Sequence, residues 1–363
     1  MRVKILDRYI LQKFWVILII SLITFLAVFH IVDVIEKIDK FLRATMALSA
    51  VGTYYLYQLP FFINIALPMS VLLATVFTIG MLSKNNELAA IKSSGISLYR
   101  VSVPLLAMGI LLSAFSYFFD DTLVIPASRK RIEIEQTQMK RYKKRKKKII
   151  RNITYQDSPV CNIVIDKFST TNKTASTVTI QYTDEHILTR RVDSEKMKWD
   201  KDSKVWILSD FKIRYFDNEG NETVVTHTRD SLLTLNLKPE DIVSANLKPD
   251  EMRFGELSSF IQRLRQSGND PRKWEVNLHF KISFAFTNFI VILFGIPLSA
   301  IKQHKGVSFG AGMSLFVIFT YYGFIKFGQV LGYKGFLSPF FSVWFGNIVF
   351  FIAGLYLLYK IRQ

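Results

Sequence analysis

The densest run of charge in this chain is Lys140–Lys148 (KRYKKRKKK), in which eight of nine residues are basic. Such a run repels itself and stays extended or at a surface, and its chemistry is anion binding. It suits a solvated loop, contact with anionic lipid head groups or an anionic substrate, or nucleic acid. A second stretch, Asp33 to Arg43, mixes signs: Asp33, Glu36 and Asp39 alternate with Lys37, Lys40 and Arg43. A third segment is short and amphipathic, Lys84-Asn85-Asn86-Glu87-Leu88-Ala89-Ala90-Ile91-Lys92-Ser93-Ser94-Gly95. Glu87 to Ser94 holds good helix formers, Gly95 stands where a helix would end, and Leu88 and Ile91 share one side. It reads either as a plain connector or as a docking helix that receives force from a cytosolic ATPase.

Catalytic constellations are absent from the sequence. The single cysteine, Cys161, excludes an intrachain disulfide and reads as a small buried apolar residue. The five histidines are scattered, without metal-ligand spacing. No G-x-x-x-x-G-K-[ST] occurs, so the chain cannot hold ATP in a P-loop and energy for any driven process must come from a partner. No catalytic residue, metal ligand or cofactor of its own is expected.

The elements that must position these segments are set by hydropathy. Mean hydropathy over the 363 residues is only +0.23, although half the residues are hydrophobic. That average conceals very apolar stretches beside a polar domain. A bilayer core about 30 Å thick needs about 20 apolar helical residues. Six stretches qualify without one Asp, Glu, Lys or Arg: Phe14–Val32, Leu59–Ser83, Val101–Phe119, Ile282–Ile301, Val307–Ile325 and Phe336–Tyr359. The first is too long for a signal-peptide core and lacks a following cleavage site, so it reads as a helix. An intramembrane enzyme would need ionisable groups within the spans; His30 and Asp33 stand only at one edge.

Lys and Arg in the short flanks give the orientation. Arg2, Lys4, Arg8 and Lys13, then Lys84, Lys92 and Arg100, then Lys302 and Lys305, and finally Lys360 and Arg362 fall on one side. The other side has Lys37, Lys40 and Arg43, offset by Glu36 and Asp39, with Lys326 and Lys334. Both termini are therefore expected in the cytoplasm, and the long segment between spans three and four outside it. This placement disfavours nucleic acid as a partner of the basic run. The net charge of +18 then points to anionic lipid or an anionic substrate.

That long segment, about Asp120 to Trp274, reads as soluble and mostly strand. Val160–Phe168, Thr177–Tyr182 and Val205–Phe216 alternate or are rich in β-branched and aromatic residues, with turn clusters between them. Short strands at this spacing predict a sandwich or open jelly roll. A helix follows over Glu256–Gln266, with Leu257, Phe260, Ile261 and Leu264 on one face and Gly268 as its cap. The expected organisation is three spans over 1–119 with a docking loop at 84–100, and a β-jellyroll-like domain over 120–254. An amphipathic link over 255–274 and three more spans over 275–363 complete it.

With that plan the chain resembles the LptF/LptG family of lipopolysaccharide export permeases. The likeness rests on Leu6-Asp7-Arg8-Tyr9-Ile10, the Glu87-Leu88…Gly95 loop and the Trp199-Asp200…Lys204-Val205-Trp206-Ile207-Leu208 hairpin. It extends to Leu257…Phe260…Leu264…Gly268-Asn269-Asp270. It covers nearly the whole chain in matching order, and the N-terminus and hairpin are closer to the LptG branch.

The resemblance implies an inner-membrane permease that pairs with its sister LptF/LptG subunit and a dimer of an LptB-type ATPase, which uses ATP and Mg. It implies an LptC-type periplasmic bridge protein as a further partner. Lipopolysaccharide would enter between spans one and five of facing subunits and be driven toward the periplasmic β-domain. Glu87, Leu88, Ile91 and Gly95 match the ATPase-docking segment. Phe25, Leu26 and Phe29 of span one, with Phe316, Phe319 and Phe324 of span five, would line the acyl cavity. Where the family places basic residues at the outer end of span one, this chain has the mixed stretch; Lys37, Lys40, Arg43 and, nearby, Lys326 are its candidates for the head group. The residues leave open a membrane-anchored scaffold that holds a periplasmic partner, and a permease for another lipid or a lipoprotein.

Overall fold

The computed structural model describes residues 5–135, 137, 149–184, 187–200, 203, 205–216, 222–227, 231–233, 235, 237–239, 242, 249–266, 269–300 and 307–360. The basic run 140–148, the cap Gly268 and the flanking Arg2, Lys4, Lys302, Lys305 and Arg362 lie outside them. Two compact units result: Met1–Met139 with Arg272–Gln363, and Lys140–Pro271.

The first unit is helical. Helix α1 (Ile5–Arg43) contains neither Gly nor Pro, so its backbone ladder is unbroken over about 58 Å. It overruns the expected span at both ends, where Asp7 in the first turn and Lys40 and Arg43 in the last suit the helix dipole. Helix α2 (Leu48–Lys84) carries Pro60 and Pro68 inside it. Short α3 (Glu87–Ser93) leads to α4 (Leu98–Phe119), whose first turn is capped by the Ser97 hydroxyl accepting from the Arg100 amide. The helix does not stop at Asp120, where the sequence suggests that the soluble domain begins. A π-helical turn (Asp120–Val124) and α5 (Ile125–Ile134) extend it, with Pro126 tolerated in a first turn.

After the second unit come α7 (Arg272–Ala300), α8 (Val307–Tyr333) and α9 (Pro339–Lys360). Among the described residues, six helices are long and apolar enough to cross a membrane. Helices α2 and α7 form the centre, whereas the apolar window of α1 is only 6 % buried in this chain against 72 % for α2. Several polar groups inside are paired between helices, which suits a bilayer. Asn347 Nδ2 donates to the Ser283 carbonyl at 2.9 Å, its Oδ1 accepts from the Tyr321 hydroxyl, and the Tyr322 hydroxyl reaches the Ile65 carbonyl at 3.2 Å. Close packing of α8 on α9 uses small residues: Gly328 lies against the Ser342 carbonyl, and a Cβ on Gly346 would come within 3.0 Å of Ile325.

The second unit is an antiparallel sheet whose strands follow chain order: β1 (Ile149–Ser158), β2 (Cys161–Ser169), β3 (Thr174–Asp184), β4 (Ile187–Asp200), β5 (Val205–Phe216) and β6 (Glu222–His227). Strand β7 (Ser231–Leu233) also pairs β5. One face buries Ile163, Ile165, Phe168, Val178, Ile180, Met197, Trp206 and Leu208. A fold line crosses this sheet. Asn152, Asp166, Thr177, Glu195 and Asp210 fall opposite one another on five successive strands, and Asn152, Thr177 and Asp210 all adopt left-handed backbone. The in–out alternation slips by one residue there: Ile165 and Phe168 both point inward on β2, as do Ser194 and Met197 on β4. The bend curls the sheet, and Leu237 ties β1 to β5 across it. Its amide donates to Asp157 Oδ1, and its carbonyl accepts from Trp206 Nε1, both at 2.7 Å. Cys161 belongs to this core, and burial pushes its thiol up to about 11. Helix α6 (Phe254–Gln266) buries Leu257, Phe260 and Ile261, the face expected from sequence.

Candidate functional site

At one end of the bundle, α3 is held from both sides by the first turns of α1. Tyr9 and Lys13 stand one helical turn apart and point the same way. The Tyr9 hydroxyl donates to Glu87 Oε2 at 2.7 Å, and Lys13 Nζ lies 3.0 Å from both carboxylate oxygens. Asn85 Nδ2 adds a bond at 3.1 Å, and Lys13 also sits 4.3 Å from the centre of the Tyr9 ring. The Tyr9 bond first, then those from Asn85 and Lys13, holds the Glu87 carboxyl below the usual carboxylate range in spite of partial desolvation. On the other side of the loop, Arg100 makes a two-pronged pair with Asp7.

The loop itself is built to be a helix and to stop. Asn86 takes left-handed backbone at φ 60°, a conformation Asn tolerates, and Glu87 then starts α3 with a negative charge at its N-terminus. At the far end Gly95 has φ 79°. Its amide bonds the Lys92 carbonyl at 2.9 Å, and the Ile96 amide bonds that of Ile91 at 3.3 Å. This is a Schellman cap, which only Gly adopts without strain. Leu88 is buried, and Ile91 and Ile96 pack on the same core. Ala89, Ala90, Ser93 and Ser94 face outward. The Tyr99 hydroxyl reaches the Leu358 carbonyl at 3.3 Å, so the start of α1, the α3 loop and the end of α9 share one end of the bundle.

At the opposite end the four basic candidates part company. Lys37 is drawn inward: its Nζ lies 2.6 Å from Asp33 and donates to the Tyr54 hydroxyl at 2.8 Å, leaving the side chain 17 % exposed. Lys40 and Arg43 are exposed. Lys326 is exposed as well, bonds Gln329 at 3.0 Å and lies 5.3 Å from the Phe280 ring. Sequence reasoning did not single out Lys281, which meets Asp120 at 3.2 Å, while Asn64 donates to the same carboxylate at 3.1 Å. Neither residue carries a motif, and the pairing spans 161 positions.

The apolar candidates also divide. Phe25 and Phe29 pack on each other and on the core, Phe29 stacks near Phe62 at 5.9 Å, and Leu26 is half-buried beside them. On α8, Phe324 packs inward against Phe345 and Phe350, whereas Phe316 and Phe319 are 67 % and 65 % exposed.

Six apolar helices interrupted after the third by a β-domain define a membrane protein of the permease class. The family described as "Lipopolysaccharide export system permease LptF/LptG" matches residues 8–360. The chain belongs to this family, whose members are transport permeases and not in themselves enzymes. The LptG permease protein of Escherichia coli K12 is 22 % identical over 365 residues, covering 98 % of each chain. That of Haemophilus influenzae is 19 % identical over 287 residues, covering 77 % of each.

Proposed function

We propose that this chain is the permease subunit of an ABC transporter that extracts lipopolysaccharide from the inner membrane and passes it to a periplasmic bridge, powered by a partner ATPase. The observation that carries the reading is the built end around α3. A plain connector has no use for a capped two-turn helix whose first residue receives three donors. An ATPase dimer of the LptB type, which uses ATP and Mg, docks there. Glu87, Ile91 and Gly95 shape the contact, Leu88 seats the helix on the bundle, and the small outward side chains allow close approach. Arg8, Lys13, Lys84, Lys92, Arg100 and Lys360 gather at this end, which supports a cytoplasmic location for it and for both termini. The β-domain then belongs to the periplasm, where it meets an LptC-type partner.

Substrate chemistry fits the rest. Each CH₂ leaving a bilayer costs about 0.8 kcal/mol, so several acyl chains cost tens of kcal/mol unless an apolar cavity receives them. The bare apolar flank of α1, beside the half-buried Phe25, Leu26 and Phe29, supplies one wall, and Phe316 and Phe319 of α8 supply another, with Phe324 packed behind them. The sister LptF/LptG permease closes the cavity. Lys40 and Arg43, with Lys37 and Lys326, meet the phosphates at its mouth. Two experiments test this reading. Depletion of the protein is expected to make lipopolysaccharide accumulate in the inner membrane. Ala90→Arg on the outward face of α3 is expected to abolish copurification of the ATPase; full retention would overturn the docking assignment.

A further inference from the structure

Glu87 is the one acid of α3, and its carboxylate turns back into its own chain. Both oxygens are engaged by Lys13, one of them also by Tyr9, and the other also by Asn85. The Glu87 and Lys13 side chains are 28 % and 22 % exposed, so the cluster is sheltered without being dry. Asp7 and Arg100 repeat the tie on the far side of the loop. A loop whose only duty was to offer a surface to another protein would not spend its one acid, a tyrosine and a lysine on an internal bond. The Glu87 contacts tie α3 to α1, Asp7 and Arg100 tie α4 to α1, and Leu88 seats α3 on the bundle core.

What lies further along α1 gives the tie a purpose. Lys13 is separated from Phe29 by about 24 Å of helix and from Lys37 by about 36 Å, at 1.5 Å per residue. No Gly or Pro interrupts that path. The parallel path through α2 passes Pro60 and Pro68, each of which removes a backbone hydrogen bond and invites a bend. The far end of α1 is itself tied, through Lys37 to Tyr54. An unbroken helix clamped to the docking element at one end and carrying cavity and mouth residues on its other half has the form of a connecting rod.

We infer that Tyr9 and Lys13 are positioning residues, clamping Glu87 so that displacement of α3 moves α1 as one rigid body and reshapes the cavity at its far half. The inference rests on α3 being the docking element. It assigns to the Asp7…Lys13 segment a role in coupling energy to transport that is distinct from recognition of the ATPase.

The test uses the full complex of both permeases and the ATPase in proteoliposomes, and reads lipopolysaccharide released per ATP hydrolysed. Lys13→Met and Tyr9→Phe are expected each to lower that ratio about five-fold, the scale of a partly exposed polar contact, with the ATPase still copurifying. Lys13→Glu is expected to fail outright, and the exchange Lys13→Glu with Glu87→Lys to restore much of the ratio, which a mere loss of folding would not predict. A wild-type ratio in the Lys13→Met, Tyr9→Phe double variant would overturn the clamp, as would an exchange that restores neither assembly nor coupling. Ala90→Arg separates the two readings. Loss of the ATPase there together with wild-type coupling in the clamp variants would refute the clamp alone, whereas retention of the ATPase in Ala90→Arg would refute docking at α3.

Discussion

Asp7 and Arg100 face each other in a two-pronged ion pair, Nη1 to Oδ1 at 2.7 Å and Nη2 to Oδ2 at 2.8 Å, although 93 positions separate them. The planar fork of Arg matches a carboxylate in a way that a lysine ammonium cannot. Arg100→Lys keeps the charge and loses one prong. It is expected to lower the thermal midpoint of the detergent-solubilised protein by about 1–3 °C, with Asp7→Asn costing the same and the double variant costing no more than either single change. Additive losses would mean that the two residues act independently.

The Glu87 carboxyl sits below its ordinary range because of the Tyr9 hydroxyl, Asn85 and Lys13. A depressed folded-state value means that its contribution is fully present above the unfolded carboxylate pKa and is lost as pH falls through the folded one. The difference in thermal midpoint between wild type and Glu87→Gln is therefore expected to stay constant from about pH 7 to about pH 5 and to shrink only below about pH 4. A difference that fades between pH 7 and pH 6 would show that the carboxylate is not held in this way.

Trp206 is fully buried, donates to the Leu237 carbonyl and packs edge-on to Trp199 at 5.2 Å. Trp206→Phe keeps most of the apolar volume and strands that carbonyl. The expected cost to the β-domain is about 1–3 kcal/mol, read by denaturant unfolding through near-ultraviolet circular dichroism. Unchanged stability would mean that the bond closing the curl contributes nothing.

The fold line makes a prediction of opposite sign. Thr177 holds φ 53°, a costly conformation for a β-branched residue. Thr177→Gly is expected to stabilise the β-domain by about 1 kcal/mol and Thr177→Val to destabilise it. A loss with Gly would show that the Thr side chain contributes more than its backbone strain costs.

The same line explains what the sequence conceals. Strand β5, Val205–Phe216, has the bounds expected from its residues, and α6 buries the expected face, because in each the local pattern dominates. Strand β4 escapes notice: Val192, Ser194 and Met197 point inward, so the period-two signal breaks at Glu195. The extension through Asp120–Ile134 is hidden for a different reason. Its charges look like a domain boundary, yet Asp120 is paired with Lys281, and Lys130 and Arg131 lie over the rings of Tyr57 and Phe61. In the site, the α3 helix and its Gly95 cap are local and legible. The clamp is not, because the 4-residue spacing of Tyr9 and Lys13 has meaning only beside a carboxylate 74 positions after Lys13.

The two sets of phenylalanines should behave differently toward lipid. Phe324 is held by aromatic neighbours on α9, while Phe316 and Phe319 stand open on the outer face of α8. Phe29 lies between these cases, packed on Phe62 yet on the sparsely covered helix α1. With a photo-reactive phenylalanine analogue at each position in turn, lipopolysaccharide adducts are expected at 316 and 29. At 324 adducts should be at least about ten-fold fewer, since a side chain inside a packed core meets only protein. Adducts at 29 should fall on ATP addition if α1 moves as the cavity closes, whereas those at 316 report position alone. Equal labelling at 316 and 324 would place the acyl chains away from this face of α8 and remove the α8 wall from the proposed cavity.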